Sequence, residues 1–220
     1  MITRRQANLG LLSTTVMAAM PRYARAAELE TMQLPPPQTE GGKPLMQALK
    51  ARRSSREFAD RPLSPQVLSN LLWAAWGINR PGEGLHTAPN SRGAMDIDLY
   101  LAMADGVWTY DPKTHSLAHR MSEDLRGETT TGQDFVKTAP LNIVFVSDAA
   151  RMGKPSDADR TLNGIADSAV IAQNVYLFCA SEGLAVVLRA SVPGAQLAKR
   201  LGLAATQAIY LAQSVGYPKS

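Results

Sequence analysis

Across residues 64–77 the apolar positions Val67, Leu68, Leu71, Leu72, Ala75 and Trp76 recur three and four residues apart, the spacing of one helix face. Ser64-Pro65 supplies a start, a hydroxyl N-cap followed by proline at the first helical position, and Gly77 supplies a stop. A shorter helix fits residues 43–53, with Leu45, Met46 and Leu49 as its apolar positions. The period then changes. Ile97, Leu99 and Leu101 alternate with Asp98 and Tyr100, which predicts a half-buried strand. Residues 107–110 and 115–119 flank Asp111-Pro112-Lys113-Thr114, the pattern of a hairpin. Apolar runs at 141–146, 184–188 and 208–215 predict strands. Residues 165–182, apolar nearly all round and stopped by Gly183, predict a long helix, and residues 193–201 a short one. Strands and helices mix without the regular alternation of a doubly wound sheet, so the predicted class is α+β.

At 220 residues and 45% hydrophobic, the chain suits one domain with a real core. Arg4, Arg5, Arg22 and Arg25 account for the whole formal excess of +4. The body is therefore neutral, which argues against a general nucleic-acid surface. Residues 1–26 resemble an export signal of the twin-arginine type: Arg4-Arg5, a mildly apolar run from 9 to 20, then Ala24-Arg25-Ala26 as a cleavage site. The run is too short to span a bilayer, so the expectation is export to the periplasm with no membrane span. Residues 27–42, with Pro35-Pro36-Pro37, read as an extended arm, and residues 43–220 as the functional domain. The single cysteine, Cys179, excludes an internal disulfide, and its apolar helical setting predicts a buried, inert thiol.

Several standard sites are absent. Gly41-Gly42-Lys43 lacks the upstream glycine and the Ser/Thr of a phosphate loop, and no G-x-S-x-G elbow occurs. His115 and His119, with one cysteine and one other histidine in the chain, read as surface hairpin residues rather than a metal site. The cluster Arg52, Arg53, Ser54, Ser55, Arg56 survives this elimination. Arg52 and Arg56 are spaced to share a helix face, where guanidinium groups repel unless an anion lies between them. The cluster is either a solvated patch or an anion site.

Its context is more specific. Arg52-Arg53-Ser54-Ser55-Arg56-Glu57-Phe58 resembles the R-R-S-x-R-x-F signature of the nitroreductase-like FMN-dependent oxidoreductases. Further resemblances follow in order: Leu71-Leu72-Trp73-Ala74-Ala75-Trp76-Gly77, Thr87-Ala88-Pro89-Asn90-Ser91-Arg92, Gln173-Asn174-Val175-Tyr176-Leu177 and Val215-Gly216-Tyr217-Pro218. The short close after Pro218 resembles the compact branch related to SagB-type dehydrogenases.

This resemblance implies a mainly antiparallel sheet flanked by helices in an intertwined homodimer, with FMN at the subunit interface. It implies that Arg52, Arg53 and Ser54 hold the phosphate and ribityl oxygens, and that Arg56 approaches the N1/O2 side of the ring. It further implies contacts from Pro89, Asn90 and Ser91, from Leu188, Arg189, Ala190 and Ser191 near N5, and from Lys219 to the phosphate. The implied reaction moves electrons or hydride through flavin N5 from a reduced donor to a small-molecule acceptor, with no catalytic side chain required. The donor is NAD(P)H or a redox protein. His86, Asn90, Gly93 and Met95 depart from common family residues, which changes the pocket rim. A non-catalytic flavin or electron carrier, or a protein binding another phosphate ligand, is the alternative.

Overall fold

The computed structural model describes residues 30–219; the expected export signal and the start of the arm lie outside them. The strands are β1 (Thr31–Gln33), β2 (Ile78–Arg80), β3 (Leu85–His86), β4 (Ile97–Met103), β5 (Gly106–Asp111), β6 (Ser116–Met121), β7 (Leu141–Asp148), β8 (Ala185–Arg189) and β9 (Gln207–Gly216). The helices are α1 (Leu45–Ala51), α2 (Pro65–Trp76), α3 (Phe135–Thr138), α4 (Asp157–Glu182) and α5 (Gly194–Arg200). Seven strands form one sheet in the order β1-β6-β5-β4-β7-β9-β8, with every neighbouring pair antiparallel. The strands β2 and β3 make a separate small hairpin.

The period of two in β4 and β7 sorts their side chains onto two layers. Leu99, Leu101, Ile143 and Phe145 join the core of α2 and α4. Tyr100, Ala102, Val144 and Val146 join a second core with Leu197 of α5. Tyr100 is thus buried, and β4 is covered on both faces over much of its length rather than half-buried.

Ser64 caps α2 by accepting from the Val67 N–H at 3.3 Å, as its sequence predicts. The long helix begins at Asp157, eight residues before the expected start. Ser156 and Asp159 form a capping box there, so polar first turns are fixed by local hydrogen bonds rather than by burial. Gly183 ends it in the left-handed region at φ 72°, a conformation that suits glycine. Gly164 lies where α4 meets the sheet: a Cβ there would sit 2.7 Å from Ser147 Oγ and 2.8 Å from the Tyr210 ring.

The arm is built into the fold. Thr31, Met32 and Gln33 pair with Ala118, Leu117 and Ser116, and Leu34 is buried. Ser69 donates to the Pro35 carbonyl at 2.6 Å, fixing the proline segment to α2. His115 is not a surface histidine of a strand, as expected, but a half-buried residue of the β5–β6 turn at φ 50°. Its ring bridges Ser69 Oγ at 2.7 Å and the Tyr110 hydroxyl at 3.0 Å. Cys179 is fully buried, and burial pushes its thiol well above the usual range, which keeps it inert.

Candidate functional site

The helix α1 ends because Arg52 leaves the helical region at φ −57°, ψ 124°, with its N–H still bonded to Ala48 O at 2.9 Å. The chain then runs alongside β8, where Ser55 N–H donates to Val186 O at 2.9 Å. Phe58 bridges Pro218, and Ala59 N–H donates to Tyr217 O at 2.9 Å. Lys219 N–H approaches Glu57 O at 3.4 Å. Three distant parts of the sequence therefore meet: the arginine-serine segment, the end of β8 and the residues after β9.

Tyr176 of α4 joins them. Its hydroxyl shares a 2.8 Å hydrogen bond with Ser54 Oγ and accepts from Leu188 N–H at 2.9 Å, and the Arg52 guanidinium lies 5.3 Å from its ring centroid. Sequence reasoning placed Tyr176 on the helix without giving it this role, because nothing local marks a residue whose partners are so distant. Tyr176→Phe keeps the ring but leaves the half-buried Leu188 N–H without its acceptor. The expected cost is about 1–3 kcal/mol in a denaturant titration of the FMN-free protein.

Among the described residues, the side chains of Arg53, Arg56 and Lys219 form no ion pair or hydrogen bond. All three are exposed. Arg53 and Arg56 flank Ser54 in the chain, and the Lys219 backbone meets this segment at Glu57; cations without an ion-pair partner, beside a hydroxyl hydrogen-bonded to Tyr176, suit a phosphate monoester. Arg189 behaves differently. Its side chain is 3% exposed and donates to Thr129 O at 2.7 Å, Thr129 Oγ1 at 3.1 Å, Asn142 Oδ1 at 3.3 Å and Ser214 Oγ at 3.2 Å. Burial pushes its pKa down to about 10. This side chain is committed to the interior, so a ligand near residues 188–191 would meet backbone, Leu188 or the exposed Ala190 and Ser191.

The loop carrying Pro89, Asn90 and Ser91 is elsewhere. Ser91 donates from N–H to Asp167 Oδ1 and Oδ2 at 2.9 and 3.0 Å, and from Oγ to Oδ1 at 3.0 Å. Asn90 Nδ2 approaches Met95 Sδ at 2.8 Å. Asp167 and Tyr176 are nine residues apart on α4, two and a half turns, and so lie on opposite flanks of its buried face, about 13 Å apart along the axis. One chain does not bring the loop to the arginine cluster. A groove of about 620 Å³ has His86 and Met95 in its wall and is lined by neither residues 52–56 nor residues 89–91.

Large apolar side chains stand exposed on α1 and α4. Leu45, Met46 and Leu49 of α1 are 62%, 74% and 43% exposed, and Leu162, Ile165 and Val170 of α4 are 66%, 40% and 37% exposed. Among the described residues, no helix is long and apolar enough to cross a membrane, and no cluster of metal-ligating side chains occurs.

The Nitroreductase family model matches residues 49–217. A protein of Methanocaldococcus jannaschii named as a nitroreductase is 30% identical over 168 residues, covering 72% of this chain and 83% of its own. A Ralstonia eutropha JMP134 structure described as a nitroreductase shares 40% identity at a TM-score of 0.82, covering 86% of this chain and 90% of its own. The fold extends to the NADPH:FMN oxidoreductase of Vibrio harveyi, solved with NAD+, at 21% identity and a TM-score of 0.61, covering 80% of this chain and 69% of that one.

Proposed function

The chain belongs to the nitroreductase family, and on that premise we propose that it is an FMN-dependent oxidoreductase acting as a homodimer. The observation that carries this reading is the segment Arg53–Arg56, met by the Lys219 backbone at Glu57, whose arginines have no ion-pair partner and whose Ser54 hydroxyl is hydrogen-bonded to Tyr176. Arg52, Arg53, Ser54 and Lys219 would hold the phosphate and ribityl end, and Arg56 would lie on the N1/O2 side of the ring. Bound FMN supplies two-electron chemistry, taking electrons from a reduced donor and delivering them to a small acceptor. The protein's part is to bind, orient and bias charge. A fixed guanidinium beside N1 favours the anionic form of the reduced ring.

The divided site supports the dimer. The two parts of the site sit on opposite flanks of α4, and in the proposed dimer a second copy would set its Pro89, Asn90 and Ser91 against the first copy's arginine segment. Six exposed apolar side chains on α1 and α4 are surface that such a copy would cover. The resemblance to the SagB-related branch is carried by sequence alone.

Export by the twin-arginine route is consistent with this chemistry, because a non-covalent flavin is best loaded before a folded protein is transported. Outside the cytoplasm NAD(P)H is scarce, so a redox protein or a quinol is the proposed donor. Efficient steady-state turnover with NADPH would count against that assignment.

The test is an absorption spectrum of the chain from Ala27 onward, purified after expression with ample FMN, together with sedimentation. The expected protein is a yellow dimer that releases about one FMN per chain on denaturation. A colourless monomer that binds no added FMN overturns the reading. A yellow protein that turns over no donor or acceptor would favour the electron-carrier alternative.

A further inference from the structure

The turn between Ser91 and Asp96 is tied at both ends to one pair of buried acids. At one end Ser91 gives three hydrogen bonds to the Asp167 carboxylate. At the other stands Asp96 itself, its carbonyl fixed by Asp148 N–H at 2.8 Å and its Oδ2 accepting from Ser147 Oγ at 2.9 Å. Asp96 is wholly buried and Asp167 is 4% exposed. Asp96 Oδ1 has no hydrogen-bond donor among the described residues, and the neighbouring Asp167 carboxyl helps to raise the Asp96 pKa. The close approach of α4 to the sheet at Gly164 brings Asp167 there.

Such an arrangement holds one proton. Asp167 already accepts three donated bonds. Asp96 receives one, so the proton belongs on Asp96, pointing from Oδ1 to Asp167. Two bare carboxylates at this separation in a dry interior would repel strongly. The turn they hold is strained: Arg92 and Met95, neither of them glycine, sit at φ 55° and 48°.

We propose that Asp96 and Asp167 are positioning residues for the loop of Pro89, Asn90 and Ser91, closing the strained 91–96 turn through a single shared proton. The consequence for cofactor binding rests on the FMN reading; the closure itself does not.

The surroundings supply no compensating cation. From β4, Asp98 turns outward to Arg151, which also donates to Met95 O at 2.7 Å and lies 3.9 Å from Asp148. From the start of α4, Arg160 pairs with Asp157 at 3.6 Å. From β7 comes Ser147 and from β9 the Tyr210 ring, beside Gly164. Among the described residues no arginine, lysine or histidine bonds to either carboxyl. Burial, and then the Asp167 carboxyl, push Asp96 up to about 6. A carboxyl raised on folding favours the closed state while protonated. Closure is therefore complete below the ordinary carboxylate range and is lost as pH rises through about 6.

The experiment is amide exchange at Ser91 in the full chain without FMN, read as a protection factor at about pH 5 and about pH 8. Wild type is expected to lose about tenfold in protection between them. Asp96→Asn, whose amide donates to Asp167 at either pH, is expected to show no such loss, and Asp167→Asn low protection throughout. Amides of β7 serve as the folding control. Equal wild-type protection at both pH values, or an undiminished loss in Asp96→Asn, overturns the proposal, and the wild-type result decides alone if a variant does not fold. FMN affinity should follow the same pH curve in wild type and be flat in Asp96→Asn. If Ser91 behaves as expected while FMN never binds, the cofactor reading fails and the positioning pair stands.

Discussion

Replacing Arg52 and Arg56 together by alanine is expected to weaken FMN binding by a factor of about 10²–10⁴, measured by flavin fluorescence titration. Hydrogen bonds to charged groups contribute roughly 1.5–3 kcal/mol each, and each arginine is assigned at least one. The two residues should fail differently. Arg52 lies over the Tyr176 ring, so its loss also removes packing, whereas exposed Arg56 has no described partner to lose. Arg56→Ala alone should therefore leave FMN-free stability within about 0.5 kcal/mol of wild type while lowering affinity. Wild-type affinity should also fall with added salt, since the phosphate end is held by exposed cations. Should the double variant bind FMN as tightly as wild type, the cluster is a solvated face, and the family fold would place its cofactor on other groups.

That prediction was legible because the cations are contiguous in sequence. The helix α2 was legible for a similar reason: its cap, its proline and its stop are all local. Strand β1 was not, since nothing within Thr31-Met32-Gln33 declares a strand, and its ladder is supplied by residues more than eighty positions away. The early start of α4 had a signal in Ser156 and Asp159, but a search for apolar periodicity passes over a helix whose first turns are polar. Asp167 and Tyr176 were invisible as site residues. Each is an ordinary helix position until the fold brings Ser91 to one and Ser54 to the other. Arg189 is a different case. It came with the resemblance, within the segment 188–191 expected near N5, and its side chain joins an internal network, which leaves the backbone to make such a contact.

The strength of that network can be measured at Asn142, where Asn142→Leu is expected to destabilise the fold by about 3–5 kcal/mol. Asn142 is fully buried; its Nδ2 donates to Val136 O at 3.0 Å, and its Oδ1 accepts from Ser214 Oγ at 2.6 Å and from Arg189 at 3.3 Å. Leucine fills similar space but removes an acceptor from a buried guanidinium that has no carboxylate partner, and it strands the Val136 carbonyl. Adding Arg189→Met should recover part of the loss, because the group whose burial has become most costly is gone. Denaturant unfolding of wild type, both single variants and the double variant closes the cycle. A double variant more stable than Asn142→Leu alone places the Arg189 charge inside the network. If the two losses simply add, the guanidinium draws little from Asn142. Should Arg189→Met then weaken FMN binding with FMN-free stability unchanged, its side chain would belong to the cofactor after all, in a conformation other than this one.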